Sequence, residues 1–416
     1  MKISVISDTH FGFGTSSELE EDSYDNASEA FEKSQDSDLI ILAGDIFDSR
    51  IPKTQTWGKA LKVLTKPLLK ENPGIKLVES SKQLKEISKR TLNHIPVVAI
   101  HGTHERRGKD EINAVEALEN AGILIHLHKN YVVFEKEGKK VAILGMSAVP
   151  ESFAKDVLNY WNPKPLPDCY NILVIHQSVS PFVYSPLEPP SLDLSNLPKG
   201  FDMIIDGHIH QNGKEMIGST IFLIVGSTLT TQLEKNEAEA DKGYVKIEIN
   251  GGTKISFVPL DSARKFYYEE IKLLEGSSLR DELREKLYPI LNKNFLKKPL
   301  VKIKIFGKET NVLDQELREQ ERIYSNRALM TFVKELESPE ITEKIEFLRN
   351  LREKKLSIEE MGIQVLKKNL DELKFDYSVD YDSLFKMLSE GESERAFQIL
   401  LGEQITLTQI LKRSLK

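Results

Sequence analysis

Short runs of apolar residues, many of them β-branched, recur over about the first 260 residues and alternate with polar or amphipathic stretches. A continuous apolar run bounded by polar residues is typical of a strand that is buried on both faces. The clearest runs are Ile3–Ile6, Leu39–Leu42, Val97–Ile100, Ile172–Ile175 and Met203–Ile205. This alternation predicts a layered α/β domain built around a central sheet.

Later apolar runs predict strands at 141–144, 221–225, 244–249 and 255–258. The last two flank Asn250-Gly251-Gly252, which is a turn signal and predicts a β-hairpin. We therefore expect an antiparallel portion to complete the domain.

The pattern changes twice along the chain, which at 416 residues is too long for one ordinary core. We predict an α/β domain over 1–262, a small α+β cap over 263–337 and a helical C-terminal tail over 338–416. In the cap the pattern indicates a strand at Lys265–Leu273, a helix at Ser278–Leu291 and a strand at Leu300–Phe306. The tail is predicted as helix because its apolar residues fall three or four apart, namely Ile358, Met361, Val365, Leu366, Leu370 and Leu373, with Phe397, Leu400 and Leu401 further on.

Charge is unevenly distributed although the net charge is only −7. Residues 18–38 carry nine acids against one Lys, whereas 50–90 carry eleven Lys or Arg against three Glu. Pro67 and Pro73-Gly74 should break the basic stretch into two helical pieces. That stretch is either a solvated helical face or, because a local basic surface can bind phosphates on an acidic protein, a nucleic-acid surface.

Targeting signals and disulfides are not expected. Met1-Lys2 leads directly into a predicted strand, and no apolar run approaches the length of about 18 residues that a membrane span needs. Cys169 is the only cysteine, so an intramolecular disulfide is impossible and any metal must be bound by histidines and acids. We expect a cytoplasmic protein that does not associate with membranes.

Asp and His residues follow each of the five clearest predicted strands. They are Asp8 and His10, Asp45 and Asp48, His104, His176, and the pair His208 and His210. Because ligands bind beyond the carboxyl ends of strands in open α/β sheets, we expect these side chains to meet at one edge. A lone histidine is more often structural, but this ordered set fits mixed carboxylate and imidazole coordination of Mn²⁺, iron or Zn²⁺. Two such ions can together stabilise the transition state of a phosphoryl transfer.

These stretches resemble the five motifs of the calcineurin-like metallophosphoesterases: Asp8-x-His10, Gly44-Asp45-x-x-Asp48, Gly102-Thr103-His104-Glu105, His176 and Gly207-His208-x-His210. The resemblance implies that Asp8, His10, Asp45 and His210 bind one metal. It implies that Asp45, Thr103, His176 and His208 bind the other, with Asp45 as the bridge. His104 would be the catalytic residue that stabilises or protonates the leaving oxygen, and Asp48 would support the ligands without binding an ion.

Two residues depart from the family pattern, which usually has Asn-His-Asp where this chain has Thr103-His104-Glu105. The threonine hydroxyl is a poorer metal ligand than an amide oxygen, so the second ion should bind more weakly. Glu105 is one methylene longer than Asp and is expected to orient His104 differently. Both changes leave open the alternative that the chain is a weakly active or non-catalytic subunit that binds DNA ends.

Other stretches resemble the DNA double-strand-break repair nucleases of the meiotic recombination eleven family, whose bacterial counterpart is SbcD. They are Ser7–Gly12, Leu194–Asp202, Gly226-Ser227-Thr228, Asp241–Tyr244 and the small cap. That resemblance implies a homodimeric, nucleoid-associated nuclease that uses two Mn²⁺ ions on double-stranded DNA ends, with the cap contacting DNA. It also implies a partner, a coiled-coil SMC-like ABC ATPase, which the helical tail would bind.

A small-molecule phosphodiesterase or phosphatase is the competing class, because the motifs alone indicate only phosphoester hydrolysis. Such an enzyme needs a pocket but neither a cap nor an extra helical tail. The cap and tail therefore favour the nuclease.

Overall fold

The computed structural model of the protein describes residues 1–108, 111–183, 191–238, 240–273, 278–308, 313–337, 358–372 and 380–389, together with Phe347 and Phe397. The chain divides into two compact units. One consists of Met1–Ile305 with Val312–Lys334, and the other of Phe306–Asn311 with Glu335–Lys416.

Among the described residues, fifteen strands and six α-helices precede the cap in the first unit. The strands are β1 Lys2–Ile6, β2 Leu39–Ala43, β3 Lys76–Ser80, β4 Val97–Ile100, β5 Ile125–His126, β6 Asn130–Lys136, β7 Lys139–Met146, β8 Tyr170–Ile175, β9 Val179–Ser180, β10 Leu192–Asp193, β11 Met203–Asp206, β12 Gly213–Ile217, β13 Thr220–Ile224, β14 Gly243–Ile249 and β15 Thr253–Pro259. The helices are α1 Asp22–Lys33, α2 Thr54–Leu64, α3 Lys89–Leu92, α4 Ala114–Asn120, α5 Ala154–Trp161 and α6 Lys235–Ala238.

Two large sheets form the centre of this unit. The first has six strands in the order β15-β14-β1-β2-β4-β5, and the second has seven in the order β12-β13-β11-β8-β7-β6-β3. In the first sheet β1, β2, β4 and β5 are parallel, while β14 and β15 form the predicted antiparallel hairpin beside β1. In the second sheet β7, β8, β11 and β13 are parallel, and β12, β6 and β3 are antiparallel to their neighbours.

The two sheets pack face to face, and helices cover their outer faces. In β2, Leu39 and Ile41 belong to the buried cluster between the sheets, whereas Ile40 and Leu42 pack with Phe31 of α1 on the outer side. The seven-stranded sheet is covered on its outer face by α5, whose Leu158 is buried there. Burial on both faces explains the continuous apolar runs, and it confirms the predicted layered α/β sandwich.

One element of this sandwich was predicted wrongly. The second part of the basic stretch was expected to be helical, but Lys76–Ser80 is a strand that pairs antiparallel with β6 at the edge of the seven-stranded sheet. Its side chains are mostly exposed or half-buried. An edge strand of this kind has no buried face, so its sequence lacks the apolar pattern that would identify it.

The acidic and basic stretches pair with each other. Lys59 of α2 donates to Glu20 and Glu21, with Nζ–Oε1 distances of 2.8 and 2.5 Å. Lys66, which follows α2, donates to the Glu32 carboxylate and the Ser28 hydroxyl of α1. Part of the positive charge of the basic stretch is therefore balanced within the fold.

The cap contains more elements than its sequence pattern predicted. Its strands are β16 Phe266–Leu273, β17 Leu300–Lys308 and β18 Leu329–Glu337, and its helices are α7 Leu279–Leu291 and α8 Leu313–Tyr324. The three strands form one sheet with β17 in the centre. The predicted strand, helix and strand correspond to β16, α7 and β17, whereas α8 and β18 were not predicted.

The second unit contains two described helices, α9 Ile358–Glu372 and α10 Tyr381–Ser389. They pack closely, because a Cβ atom added at Gly362 of α9 would lie 2.5 Å from ring atoms of Phe385 of α10. Leu384 is buried, while Val365 and Leu366 of the predicted apolar stripe are half-buried. Leu373, Leu400 and Leu401 lie outside the described residues. The domain boundaries at 262 and 337 stay a prediction.

Candidate metal centre

The predicted site residues come from the carboxyl ends of strands in both sheets. Asp8 and His10 follow β1, Asp45 follows β2, and the loop of Thr103 and His104 follows β4, all in the six-stranded sheet. His176 follows β8, and His208 and His210 follow β11, both in the seven-stranded sheet. The expected convergence is observed, but the edge is shared between two facing sheets.

The loops that carry these residues approach one another very closely. The amide of Asp8 donates to the carbonyl of Gly44 at 3.1 Å, and the amide of His10 donates to the carbonyl of Asp45 at 3.0 Å. A Cβ atom at Gly102 would lie 2.1 Å from Asp45 Oδ1, and one at Gly207 would lie 2.2 Å from the Ala43 carbonyl oxygen. Only glycine fits at these two positions, which explains why a glycine precedes each of these motifs.

Four of the predicted ligands have left-handed backbone conformations. The φ angles are 51° at Asp8, 42° at His10, 46° at Asp45 and 70° at His208. Such angles are uncommon for residues other than glycine and cost of order 1–3 kcal/mol each. Strained backbone of this kind persists where the surrounding structure fixes a side chain for a function.

Among the residues that the structure describes, the side chains form three overlapping groups of potential metal ligands. Within each group the ligand atoms lie within 4.8 Å of one another. The groups are Asp8 with His10 and His210, His10 with Asp45 and His104, and Asp45 with His176 and His208. Asp45 belongs to two of them, as expected of a bridging carboxylate. His104 was not predicted as a ligand but lies within this cluster.

Asp45 and His176 interact electrostatically inside the fold. Burial favours the neutral carboxyl, but the positive charges available from His176, His10 and His104 outweigh it and hold the pKa of Asp45 well below its usual range. Burial also disfavours a charged His176, yet the adjacent Asp45 carboxylate raises the pKa of this imidazole to about 10. Burial and the charge of His176 lower the pKa of His208 to about 4, so its ring is neutral at pH 7.

His176 and His210 are held from behind through Nδ1. His176 Nδ1 donates to the Ala43 carbonyl at 2.7 Å, and His210 Nδ1 lies 2.9 Å from Thr231 Oγ1 and 3.5 Å from Glu237 Oε1. Their Nε2 atoms face carboxylates, at 3.2 Å from Asp45 Oδ2 and 3.6 Å from Asp8 Oδ1 respectively. Metal-binding histidines are commonly fixed in this way, with the remote nitrogen held by the protein.

The Glu237 carboxylate was not predicted as part of the site. It accepts hydrogen bonds from the backbone amides of residues 231, 232 and 233, and from Lys242 Nζ at 2.8 Å. Lys242 is buried and also donates to Ser227 Oγ. Burial opposes ionisation of Glu237, but His210 and Lys242 together lower its pKa below the ordinary value. Glu237 therefore supports His210 as a carboxylate at pH 7.

His104 is oriented by the backbone of Asp48. Its Nδ1 donates to the Asp48 carbonyl at 2.9 Å, and its ring meets that of His10 edge to face at 4.8 Å. The Asp48 carboxylate lies 3.2 Å from His10 Nδ1. Asp48 therefore contacts both histidines while standing outside the three ligand groups. At 42% exposure, the His104 side chain is the most open of the histidines in these contacts.

The two departures from the family motif have different consequences. Thr103 Oγ1 donates to Asp45 Oδ2 at 3.1 Å, so the hydroxyl lies next to the bridging carboxylate. The expected effect of Glu105 on the orientation of His104 stays a prediction. In the structure the buried Glu105 carboxyl group accepts from the amides of Phe47 at 2.6 Å and Gly102 at 2.7 Å. Glu105 thus ties the loop after β2 to the loop after β4.

The residues present fit metal ions. Within the described part of the chain, the buried atoms Asp8 Oδ1 and His176 Nε2 have no hydrogen-bond partner of good geometry, although Asp8 Oδ1 faces His210 and His176 Nε2 faces Asp45. A buried polar atom without a partner is costly unless something else binds it. Carboxylate and imidazole ligands with shared Asp45 suit ions such as Mn²⁺ or Zn²⁺.

Three other histidines, His101, His126 and His128, contact one another and lie outside the three ligand groups. His101 Nδ1 lies 3.0 Å from His126 Nε2, and the ring of His128 stacks beside His101. Burial lowers the pKa of His101 to about 3 and that of His128 to about 4. These rings are neutral at pH 7 and pack behind the loop of Thr103 and His104. His94 lies apart from this group and contacts the Lys70 carbonyl through Nδ1.

Comparison with known proteins agrees with this geometry. Residues 1–212 match the family described as calcineurin-like phosphoesterase. The chain is 24% identical over 333 residues to the double-strand break repair protein mus-23 of Neurospora crassa, covering 70% of this chain and 44% of that protein. It is 23% identical over 373 residues to MRE11 of Arabidopsis thaliana (73% and 50% covered) and 25% identical over 316 residues to human MRE11 (65% and 42% covered).

The chain thus spans about half the length of these relatives. The resemblance inferred from the sequence motifs is confirmed at both the superfamily and the repair-protein level. Among the described helices, none combines the length and apolar character needed to cross a membrane.

Proposed function

Because the chain belongs to the calcineurin-like phosphoesterase family, we propose that it is a metal-dependent nuclease that hydrolyses phosphodiester bonds in DNA at double-strand breaks. The observation that carries this proposal is the buried cluster in which Asp45 lies between His10 and His176 and imidazole Nε2 atoms face carboxylates. The similarity to double-strand break repair proteins supports DNA as the substrate.

Two Mn²⁺ ions are the proposed cofactors. Asp8, His10, Asp45 and His210 would bind one ion, and Asp45, Thr103, His176 and His208 would bind the other, with the Thr103 hydroxyl as the weakest ligand. When bound, the ions would lower the pKa of a coordinated water and neutralise charge on the phosphate.

His104 is the proposed catalytic residue. Its Nδ1–H is engaged by the Asp48 carbonyl, which leaves Nε2 for the substrate. A protonated Nε2 facing the scissile phosphate can donate its proton to the leaving oxygen. The exposure of this side chain suits contact with a substrate that arrives from solvent.

The biological setting follows from the same resemblance. We propose a homodimer that works on double-stranded DNA ends with a coiled-coil SMC-like ABC ATPase, in the cytoplasm and associated with the nucleoid. The tail of residues 338–416 would bind the ATPase, and the cap would contact DNA. The described tail helices α9 and α10 pack on each other, and exposed apolar side chains at Leu388 and Phe397 support a role in docking.

Cleavage of a labelled blunt duplex with Mn²⁺, and its absence in EDTA, tests the proposal. The wild-type protein should release short products, whereas His104→Ala should lose activity by at least about 100-fold. The matched control is His94→Ala, which removes an imidazole outside the cluster and should cut normally.

The same assay separates the alternatives. Hydrolysis of small phosphodiesters without cleavage of DNA would favour a small-molecule phosphodiesterase. DNA binding without cleavage under any divalent metal would favour a non-catalytic end-binding subunit. Cleavage by His104→Ala at the wild-type rate would show that His104 is not the catalytic residue.

A further inference from the structure

A cavity of about 750 Å³ lies beside residues on either side of Thr103 and His104, and three arginines line it. Arg106 and Arg107 directly continue this loop, and Arg50 comes two residues after Asp48. The cavity is therefore built from the same two loops that position His104. His101, Asn113 and His128 form another part of its wall.

The acids of this cavity are already engaged. Glu111 Oε2 lies 3.1 Å from Arg107 Nε in an ion pair and accepts from the Gly108 amide at 3.3 Å, and the Glu116 carboxylate accepts from the Asn113 amide at 3.1 Å as part of a helix cap. Neither Arg50 nor Arg106 contacts a carboxylate in the portion of the chain that the structure describes, which here omits residues 109 and 110. Two guanidinium groups thus contribute positive charge to the cavity without a described counter-ion.

Arg106 is also incompletely hydrogen-bonded. Among the described residues its buried Nη1 has no hydrogen-bond partner, and the same holds for the buried His128 Nδ1 in the same wall. Leaving a charged donor buried and unpaired costs more than leaving a neutral one, so such a group favours an anionic ligand. Guanidinium groups bind phosphate oxygens with two parallel hydrogen bonds.

We propose that this arginine cavity binds a backbone phosphate of the DNA strand that lies at the metal centre, with Arg50 and Arg106 as the groups that contact it. This inference rests on the proposed nuclease function and adds a second anchoring point on the substrate. An anchor next to the His104 loop would fix the strand's register relative to His104. Phosphate contacts carry no direct base information, so the anchoring is independent of DNA sequence.

Binding of a fluorescent blunt duplex to the full chain in EDTA tests the inference without metal or cleavage. The Kd is measured by fluorescence anisotropy over a series of KCl concentrations. Arg50→Ala combined with Arg106→Ala should raise the Kd at low salt about tenfold or more. Because each phosphate contact contributes about 0.9 to the slope of log Kd against log salt, losing this one contact should lower the slope by about one.

Lys140→Ala combined with Lys254→Ala is the matched control. It removes the same amount of positive charge from exposed positions on β7 and β15, and both its Kd and its slope should equal those of the wild-type protein. If the arginine double variant loses its cooperative melting transition, Arg50→Ala alone replaces it, since Arg50 is exposed. The single variant should also raise the Kd at low salt and lower the slope, by less than the double variant.

If the arginine variants bind DNA with the wild-type Kd and slope, the inference is overturned. It is also overturned if the lysine control raises the Kd and lowers the slope as much as the arginine variants do. Failure of the nuclease proposal gives a different result. In that case the wild-type protein would bind DNA through the two arginines but would not cleave it with Mn²⁺.

Discussion

At the scale of single residues, the cluster depends on groups that never face its centre. His176 is fixed by a backbone carbonyl, but His210 is fixed by two side chains, Thr231 and Glu237. Glu237 is itself held by three backbone amides and by Lys242. This network sets the orientation of His210 before any ion binds, so removing its charge should weaken the first metal site.

Glu237→Gln should therefore lower Mn²⁺ affinity by about 10- to 100-fold, the usual effect of losing an outer partner of a metal-binding histidine. Isothermal titration with MnCl₂ measures this directly. Glu234→Gln is the control, because that exposed carboxylate pairs with Lys302 at 3.3 Å in the cap. Equal Mn²⁺ affinity in both variants would show that Glu237 does not position His210.

The ligand candidates could be predicted from the sequence because each follows an apolar run directly. Glu237 could not, because it is one acid among several in Glu234–Asp241 and no local signal distinguishes it. Its role arises from the position of α6 next to His210, which only the folded chain reveals. The orienting contact of Asp48 on His104 was missed for a similar reason, since it uses a backbone carbonyl that every residue carries.

At the scale of elements, the sequence predicted most strands of the sandwich but not how they are shared between the sheets. A run such as Ile3–Ile6 shows that both faces are buried, while the choice of neighbouring strand depends on contacts with distant residues. β3 was missed because an exposed edge strand has no apolar period, and its pairing with β6 determines its conformation.

Because Lys59 of the basic stretch pairs with Glu20 and Glu21, we expect it to stabilise the contact between α1 and α2. Lys59→Glu places a third acid beside Glu20 and Glu21 and should lower the free energy of unfolding by about 1 kcal/mol. Urea denaturation at low salt measures the loss, which should shrink at high salt because these side chains are partly exposed.

Lys62→Glu is the control for this prediction. It makes the same charge change at an exposed position of α2 and should leave the free energy of unfolding nearly unchanged. If the two variants unfold at the same urea concentration, the pairing of Lys59 does not stabilise the helix contact. If Lys59→Glu loses much of its DNA affinity and Lys62→Glu does not, Lys59 instead belongs to a surface that binds DNA.

At the scale of the whole molecule, the catalytic candidates and the tail belong to different compact units. The first unit contains the sandwich, the metal centre and most of the cap, while the second contains α9 and α10. A chain that ends at Glu337 retains β18 and every proposed metal ligand. It should therefore keep Mn²⁺-dependent cleavage of short DNA but no longer co-purify with the coiled-coil ATPase.

DNA cleavage and ATPase binding by this truncated chain test separate predictions. Retained complex formation would show that the tail is not the ATPase-binding segment. Loss of folding would show that the tail packs as part of the chain's own core. Leu388→Asp on α10 is a milder variant for the same purpose, because this side chain is 44% exposed and its replacement should weaken the complex without unfolding the protein.

The central claim is that the carboxyl ends of five strands form a centre for two metal ions. Anomalous diffraction at the manganese edge, from crystals soaked in MnCl₂, tests it most directly. We predict a strong peak in contact with Asp8, His10, Asp45 and His210, and a weaker peak in contact with Asp45, His176 and His208 next to Thr103. No anomalous peak among these side chains, or manganese bound only elsewhere on the protein, would contradict the account.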